Sequence, residues 1–225
     1  MAGDSDADAA IRPDAESRAE IDASCGPTVL FFYASAVVWL LVGSALALLA
    51  SIKMHSPNVL TDWAFLTFGR VRPAHLNTMI YGWASMAGIG TLLWLQARLC
   101  RVRLPSELLL WTAGLFWNIC VAGGTIAILT GSSTSVEWLE FPIEWAAGFA
   151  LCFMVVVLAS LRMFGGRRVS HIYVSQWYMF GAVLWFPFLY VIANLFIHGE
   201  IATGVAQATT NWWYAHNVLG LWLTT

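Results

Sequence analysis

Charge is what this sequence has least of. Only 11% of its 225 residues are Asp, Glu, Lys or Arg, against 59% that are hydrophobic, whereas soluble domains carry roughly 25% charged and 45–50% apolar residues. So few ionic groups exclude an ordinary water-soluble domain and leave lipid as the solvent. The short alternating stretches of a transmembrane barrel are missing as well. The apolar runs are long and unbroken, and about 20 such residues cross a bilayer core of ~30 Å as a helix, which satisfies its backbone polar groups internally. Cysteine is sparse: Cys25, Cys100, Cys120 and Cys152 form no C-x-x-C pair, which excludes a disulfide framework and leaves packing as their role. The N-terminus has neither the basic start nor the cleavage site of a signal peptide, so the first span is expected to be retained. There is no internal repeat and no low-complexity tract.

What is present predicts an all-α, polytopic transmembrane helix bundle of about six spans. They are expected at Pro27–Ile52, Pro73–Leu99, Pro105–Leu129, Phe141–Met163 and Ile172–Ile197, with a sixth from near Gly204 that is still apolar at Thr225. Proline near several starts falls where a missing N–H costs nothing, whereas Pro187 lies inside the fifth run and is expected to kink it. The aromatic stretch Trp63–Phe68 reads as an interfacial helix or loop. Residues 1–26 hold Asp4, Asp6, Asp8, Asp14, Glu16, Glu20 and Asp22 against Arg12 and Arg18, which predicts a disordered acidic tail before a transmembrane region over 27–225.

Alternate loops differ in basic residues. Arg12, Arg18, Arg98, Arg101, Arg103, Arg162, Arg167 and Arg168 fall on one side, and Lys53, Arg70 and Arg72 on the other. This bias places the N-terminus in the cytoplasm. The second and sixth helices then run inward from the outer face.

Two histidines carry the chemistry. His75, in Arg72-Pro73-Ala74-His75-Leu76-Asn77, is read either as an interfacial residue bonded to a neighbour or as a metal or haem ligand. Gly82 lies two turns on along the same face, with Gly88 and Gly90 beyond; small residues there suit either a flat macrocycle or plain helix packing. His216, in Asn211-Trp212-Trp213-Tyr214-Ala215-His216-Asn217, lies well inside the sixth run, where an ionisable side chain is costly and marks a functional site. His55, His171 and His198 flank spans and are assigned no ligand role.

At these residues the sequence resembles subunit I of the cbb-type cytochrome c oxidases, the C family of haem–copper oxidases. The Arg-Pro-Ala-His motif, the stretch Ser170-His171-Ile172-Tyr173-Val174-Ser175-Gln176-Trp177 and Asn-Trp-Trp-Tyr-Ala-His-Asn carry the likeness, over about Ile52 to Thr225. The last motif differs from the His-Pro-Glu-Val-Tyr of mitochondrial-type oxidases and the His-Val-Trp-Val-Glu of nitric oxide reductases. The resemblance implies that His75 is an axial ligand of a low-spin haem b, that Arg72 meets haem propionates, and that His216 is one of three copper ligands. Glu137 and Glu140 resemble acids that hold a calcium, for which carboxylates are suited.

The implied reaction is reduction of dioxygen to water with electrons from cytochrome c, coupled to proton translocation in a bacterial inner membrane. Low- and high-spin haem b, copper and calcium are the implied cofactors. The implied partners are c-type cytochrome subunits, the C-terminal half of subunit I, dioxygen and membrane lipid, with no nucleic acid. The family has about twelve spans, so this chain reads as the N-terminal half of a truncated haem–copper oxidase fold. The adjacent histidine pair of the copper site, the proximal ligand of the high-spin haem and the second low-spin ligand are absent from it. Tyr214 does not inherit the family's cross-linked tyrosine role. The chain alone is therefore expected to be inactive. Both imidazoles are expected to face the bundle interior at similar depth, with the second helix starting deeper or carrying an extra turn before Pro73. The alternatives are a nitric oxide reductase-like subunit, a cofactor-free membrane or assembly fragment, and a transporter in which His216 relays protons.

Overall fold

The structure, a computed structural model, describes the backbone of residues 4–224 and the side chains of residues 17–224. Helices α1 (Asp4–His55), α2 (Phe68–Asn77), α3 (Ser85–Cys100), α4 (Glu107–Thr130), α5 (Ile143–Gly165), α6 (Val174–His198) and α7 (Val205–Val218) follow in order. A π-helical segment, Thr78–Ala84, fuses α2 to α3 into one long rod, and a second, Leu219–Leu223, extends α7. Six rods therefore stand where six apolar runs were read. Among the described residues, four helical segments are long and apolar enough to cross a membrane on those grounds alone: Ser17–His55, Glu107–Thr130, Ile143–Gly165 and Val174–His198. The second rod is interrupted by its π segment, and α7 carries Thr209, Thr210, Asn211, His216 and Asn217. The protein is an integral membrane protein, and its fold is an all-α bundle of membrane helices.

Two boundaries differ from the sequence reading. The second helix starts at Phe68, more than a turn before Pro73, so the proline sits inside it. The Trp63–Phe68 stretch, expected as a helix or loop that does not span, holds a short 3-10 turn, Ala64–Leu66, with Trp63 and Phe65 exposed. The largest change is at the N-terminus. The tail expected to be disordered over 1–26 is helical from Asp4 as part of α1, with Ile21 and Cys25 buried; residues 1–3 lie outside the described residues. Two of its acids find cations at the end of α3 and just after it: Arg98, in the last turn of α3, donates to Asp22 at 2.6 Å and Arg103 to Glu20 at 2.8 Å. Pairing of Glu20 and Asp22 with Arg103 and Arg98 gives this part of α1 a surface to pack on that composition does not reveal.

In lipid, helices associate through close packing and polar contacts, since the tails are as apolar as the side chains. The second rod packs along α1 and against α4, α5 packs on α4 and α6, and α6 on α7. Gly43 and Gly82 set the first of these contacts. A Cβ on Gly82 would stand 2.6 Å from Trp39 Cγ, and one on Gly43 2.6 Å from Met79 Sδ. The face of Gly82 is therefore occupied by Trp39 of α1, so the packing reading of that glycine holds over the macrocycle reading. Trp117, Phe149, Phe153 and Phe186 are buried in a run of ring contacts, with Trp117 edge-on to Phe149 at 4.7 Å and Phe153 tilted against Phe186 at 4.8 Å. All four cysteines are free thiols in this packing. Helix α6 runs from Val174 to His198 with Pro187 inside it.

Candidate functional site: the second helix, the loop after α4 and the sixth helix

His75 stands one turn before the first π segment. Its Nδ1 lies 2.9 Å from the carbonyl oxygen of Gly43 on α1. A carbonyl only accepts, so Nδ1 carries the proton and Nε2 is left with its lone pair, the state a metal-ligating imidazole needs. Gly43 lets the two rods approach closely here, since a Cβ on it would meet Met79 Sδ at 2.6 Å and Thr78 Oγ1 at 3.1 Å. His75 is half-buried, which suits a ligand at the edge of the bundle. These features fit an axial haem ligand.

Asn77 lies two residues on, about 200° around the helix at 100° per residue, and faces the opposite way. Its amide donates to Glu140 Oε2 at 2.7 Å and to the Pro73 carbonyl at 2.8 Å. Glu140 belongs to the loop after α4 and is only 4% exposed. Burial pushes its carboxyl up to about 7, a rise opposed by the bonds from Asn77 and from backbone N–H groups. Glu137, on the same loop, accepts from Arg72 Nη2 at 2.6 Å, and its carbonyl accepts from Asn211 of α7 at 2.6 Å.

Between them, Trp138 adopts φ 72°, a left-handed conformation that a bulky residue holds only under local constraint. The constraint is visible: Tyr81 donates its hydroxyl proton to the Trp138 carbonyl at 2.5 Å. Because that proton is used, the 2.8 Å contact with Tyr214 has Tyr214 donating to Tyr81. The loop thus ties the second and sixth helices together through fully buried side chains.

The π segment opens the Tyr81 carbonyl, and the Trp117 indole takes it at 2.7 Å. Ser85 bonds back to the Ile80 carbonyl at 2.8 Å, and Trp222, within the second π segment, donates to Ser85 at 3.0 Å. Each candidate histidine sits three residues before a π segment, a feature often found at functional sites.

His216 departs from expectation. Tyr214, Ala215, Val218 and Trp222 form the buried stripe of the sixth rod, and His216, about 200° from Tyr214, is exposed. With Val205, Thr209, Trp212 and Trp213 it lines an open groove of about 560 Å³. The expectation that this imidazole faces the interior of the six-helix unit is thereby corrected. Helix α7 has two sides, and the tyrosine side is the one its own chain covers. The expected extra turn before Pro73 is present, and it narrows the depth difference between the two histidines. His75 is seven residues past Phe68 and His216 eleven past Val205, about 6 Å of rise if the rods start level.

The calcium expectation gains nothing from this geometry. The Glu137 carboxylate is held by Arg72 and that of Glu140 by Asn77, and among the described residues no three His, Cys, Asp or Glu side chains gather as a metal site. For the same reason His216 supplies one imidazole and not a copper site. Arg72, Glu137 and Glu140 are brought together; His75 and His216 face elsewhere. Asn77, Tyr81, Tyr214 and Gly43 went unassigned in the sequence. An asparagine two residues from His75 within an apolar run was the one available signal.

A family model described as "Cytochrome C and Quinol oxidase polypeptide I" matches residues 28–225. Among curated relatives, the chain is 29% identical over 197 residues to the cbb3-type cytochrome c oxidase subunit CcoN1 of Stutzerimonas stutzeri, covering 84% of this chain and 41% of that protein. It is 26% identical over 231 residues to the bacteroid cytochrome c oxidase subunit 1 homolog of Bradyrhizobium diazoefficiens, covering 96% and 40%. With cytochrome c oxidase subunit 1 of Rhodobacter capsulatus it shares 25% over 197 residues, covering 83% and 37%. The chain spans about two-fifths of the length of these relatives, aligned along most of its own. Rods, motifs and relatives agree: the chain belongs to the haem–copper oxidase subunit I family, the cytochrome c and quinol oxidase polypeptide I proteins.

Proposed function

We propose that this chain is the N-terminal part of the catalytic subunit of a cbb-type terminal oxidase. The enzyme would reduce dioxygen to water with electrons from cytochrome c and couple that to proton translocation. It would lie in a bacterial inner membrane, with the N-terminus in the cytoplasm on the strength of the eight-to-three basic bias. One observation carries the reading: the Gly43 carbonyl fixes the proton of His75 on Nδ1 and leaves Nε2 for a metal. A haem b bound there would supply one-electron transfer, with ring chemistry belonging to the cofactor and orientation to the protein.

The residues of the chain have the following parts in this reading. Gly43 sets the tautomer of His75. Arg72, 48% exposed and bonded to Glu137 through Nη2 alone, keeps donors on its fork for a propionate. His216 offers one imidazole to a copper whose other ligands come from the polypeptide that completes the subunit, with c-type cytochrome subunits as further partners. A single ligand holds a metal weakly, since a preformed site is what binds it; the chain alone is expected to consume no oxygen.

The test is the reduced-minus-oxidised optical spectrum of membranes in which this chain is present with its completing polypeptide. His75→Ala should remove the low-spin haem b signal at unchanged chain level by immunoblot. An unchanged spectrum would overturn the ligand assignment.

A further inference from the structure

Helices α4 and α5 meet along a seam that glycine keeps narrow on both sides. A Cβ on Gly124 of α4 would run into the Phe141 ring just before α5, and one on Gly148 of α5 would stand 2.5 Å from Cys120 Sγ. The Cys120 sulfur therefore rests on the backbone of α5 at Gly148. Cys152 lies one turn further along α5. Helical side chains lean toward the helix N-terminus, onto the preceding turn, so its sulfur is aimed at the same notch. The two thiols meet there and share a hydrogen bond. Both residues are buried, at 1% and 4% exposure. The other two cysteines have partners of a different kind: Cys25 Sγ lies 3.8 Å from the Ser24 hydroxyl, and Cys100 accepts from Gln176 at 3.3 Å.

Two thiols in contact across a helix seam can hold a soft metal ion or close to a disulfide. The surroundings decide between them. Both cysteines lie well inside their helices, and among the described residues no third His, Cys, Asp or Glu joins them. A metal would need both sulfurs as thiolates, and two thiolates on a monovalent ion keep a net negative charge that the membrane interior disfavours. A disulfide is neutral. We propose that Cys120 and Cys152 are a redox-sensitive dithiol, which a lipid-soluble hydroperoxide closes to a disulfide that staples α4 to α5. Ile119 and Leu151, the sequence neighbours of the pair, are exposed, so a molecule dissolved among acyl chains reaches the edge of the seam. The hydroperoxide passes its terminal oxygen to one thiol, which becomes a sulfenic acid, and departs as an alcohol. The second sulfur then attacks the first. The S–S bond forms, and the sulfenic hydroxyl leaves as water with the second thiol's proton. The two thiols give up two electrons, and the O–O bond takes them. The pair is separate from the residues of the haem and copper reading and does not rest on it.

Membranes holding the chain, treated with cumene hydroperoxide, then alkylated under denaturing conditions and read by mass spectrometry, test this. The peptides of Cys120 and Cys152 should be found joined, with the loss of two hydrogens. The bond should form at least about tenfold faster than Cys25 or Cys100 is lost, because the second sulfur is already in place. Cys152→Ser should abolish the product and leave an oxygen adduct on Cys120. The double variant Cys25→Ala/Cys100→Ala should form the bond at the unaltered rate, and it keeps the test open if Cys152→Ser fails to fold. The thermal midpoint of the oxidised chain in detergent should lie above that of the reduced chain and fall back on adding dithiothreitol. Four results would each overturn the proposal: both thiols still free while Cys25 and Cys100 oxidise, a cross-link through either of those, oxygen adducts without an S–S bond in the unaltered chain, or a midpoint that oxidation does not raise.

Discussion

The two faces of α7, the sixth rod, are built on opposite terms. On one, Tyr214 is sealed against Tyr81 and, through it, against the Trp138 carbonyl. On the other, His216 stands in an open groove beside Trp212 and Trp213. Two residues of sequence separate a side chain that its own chain holds from one that it leaves exposed. The second helix repeats the contrast in milder form, with Asn77 sealed on Glu140 and His75 half-buried on Gly43. The sealed faces maintain the bundle, and the candidate metal ligands sit off them.

Substitutions on the sealed side should therefore cost stability, and the open side should tolerate them. The largest loss is expected from Gly82→Val, which drives a branched side chain into Trp39 on α1. About 3 kcal/mol is the expected scale for such overpacking, read as a fall in the thermal midpoint of the detergent-solubilised chain. Next comes Tyr81→Phe, which leaves the Trp138 carbonyl and the Tyr214 hydroxyl without their partner. About 1–3 kcal/mol is expected, and an unchanged midpoint would break the comparison.

Glu140 sharpens it with the opposite sign. Its carboxyl is raised from 4.5 to about 7 by burial, so between those pH values the folded chain binds more protons than the unfolded one. Stability therefore falls as pH rises through that window and levels off above it. Glu140→Gln keeps an acceptor for Asn77, should flatten the dependence between pH 5 and 8, and should raise the thermal midpoint at pH 8 while leaving it little changed at pH 5. The smallest effect is expected from His216→Ala, within about 0.5 kcal/mol as for other exposed positions. A large loss there would mean that the groove is closed in the folded chain.

The rods were legible in the sequence because a continuous apolar run has few other solutions in lipid, and their observed ends fall within a few residues of the predicted ones from α4 through α6. The start of α1 was not, because Asp22 and Glu20 are neutralised by Arg98 and Arg103 some eighty positions away, and composition counts those acids as solvated. Arg72, Glu137 and Glu140 could be singled out as charges at a membrane boundary. What they touch could not, since Asn77, Tyr81 and Asn211 read as ordinary residues of apolar or mixed helices until the loop folds back on them. The glycine face at Gly82 allowed two readings from spacing, and only the position of Trp39 separates them. The direction of His216 was missed for a similar reason: periodicity gives two faces, and which one the chain covers depends on where α6 and the second rod lie.

The π segment at Thr78–Ala84 has a consequence for evolution and for engineering. Such a segment is equivalent to one residue inserted into an α-helix, so it offsets the phase of everything after it by about 100°. Residues before it, His75 and Asn77, and residues after it, Ser85 and Gln96, therefore keep separate angular clocks on one rod. Deleting a single residue between 78 and 84 would resynchronise them, swinging Ser85 away from Trp222 and Gln96 out of the buried stripe, with His75 left on Gly43. A one-residue length change in this stretch acts as a rotation of half the helix, and alignments of relatives are best read with that gear in mind.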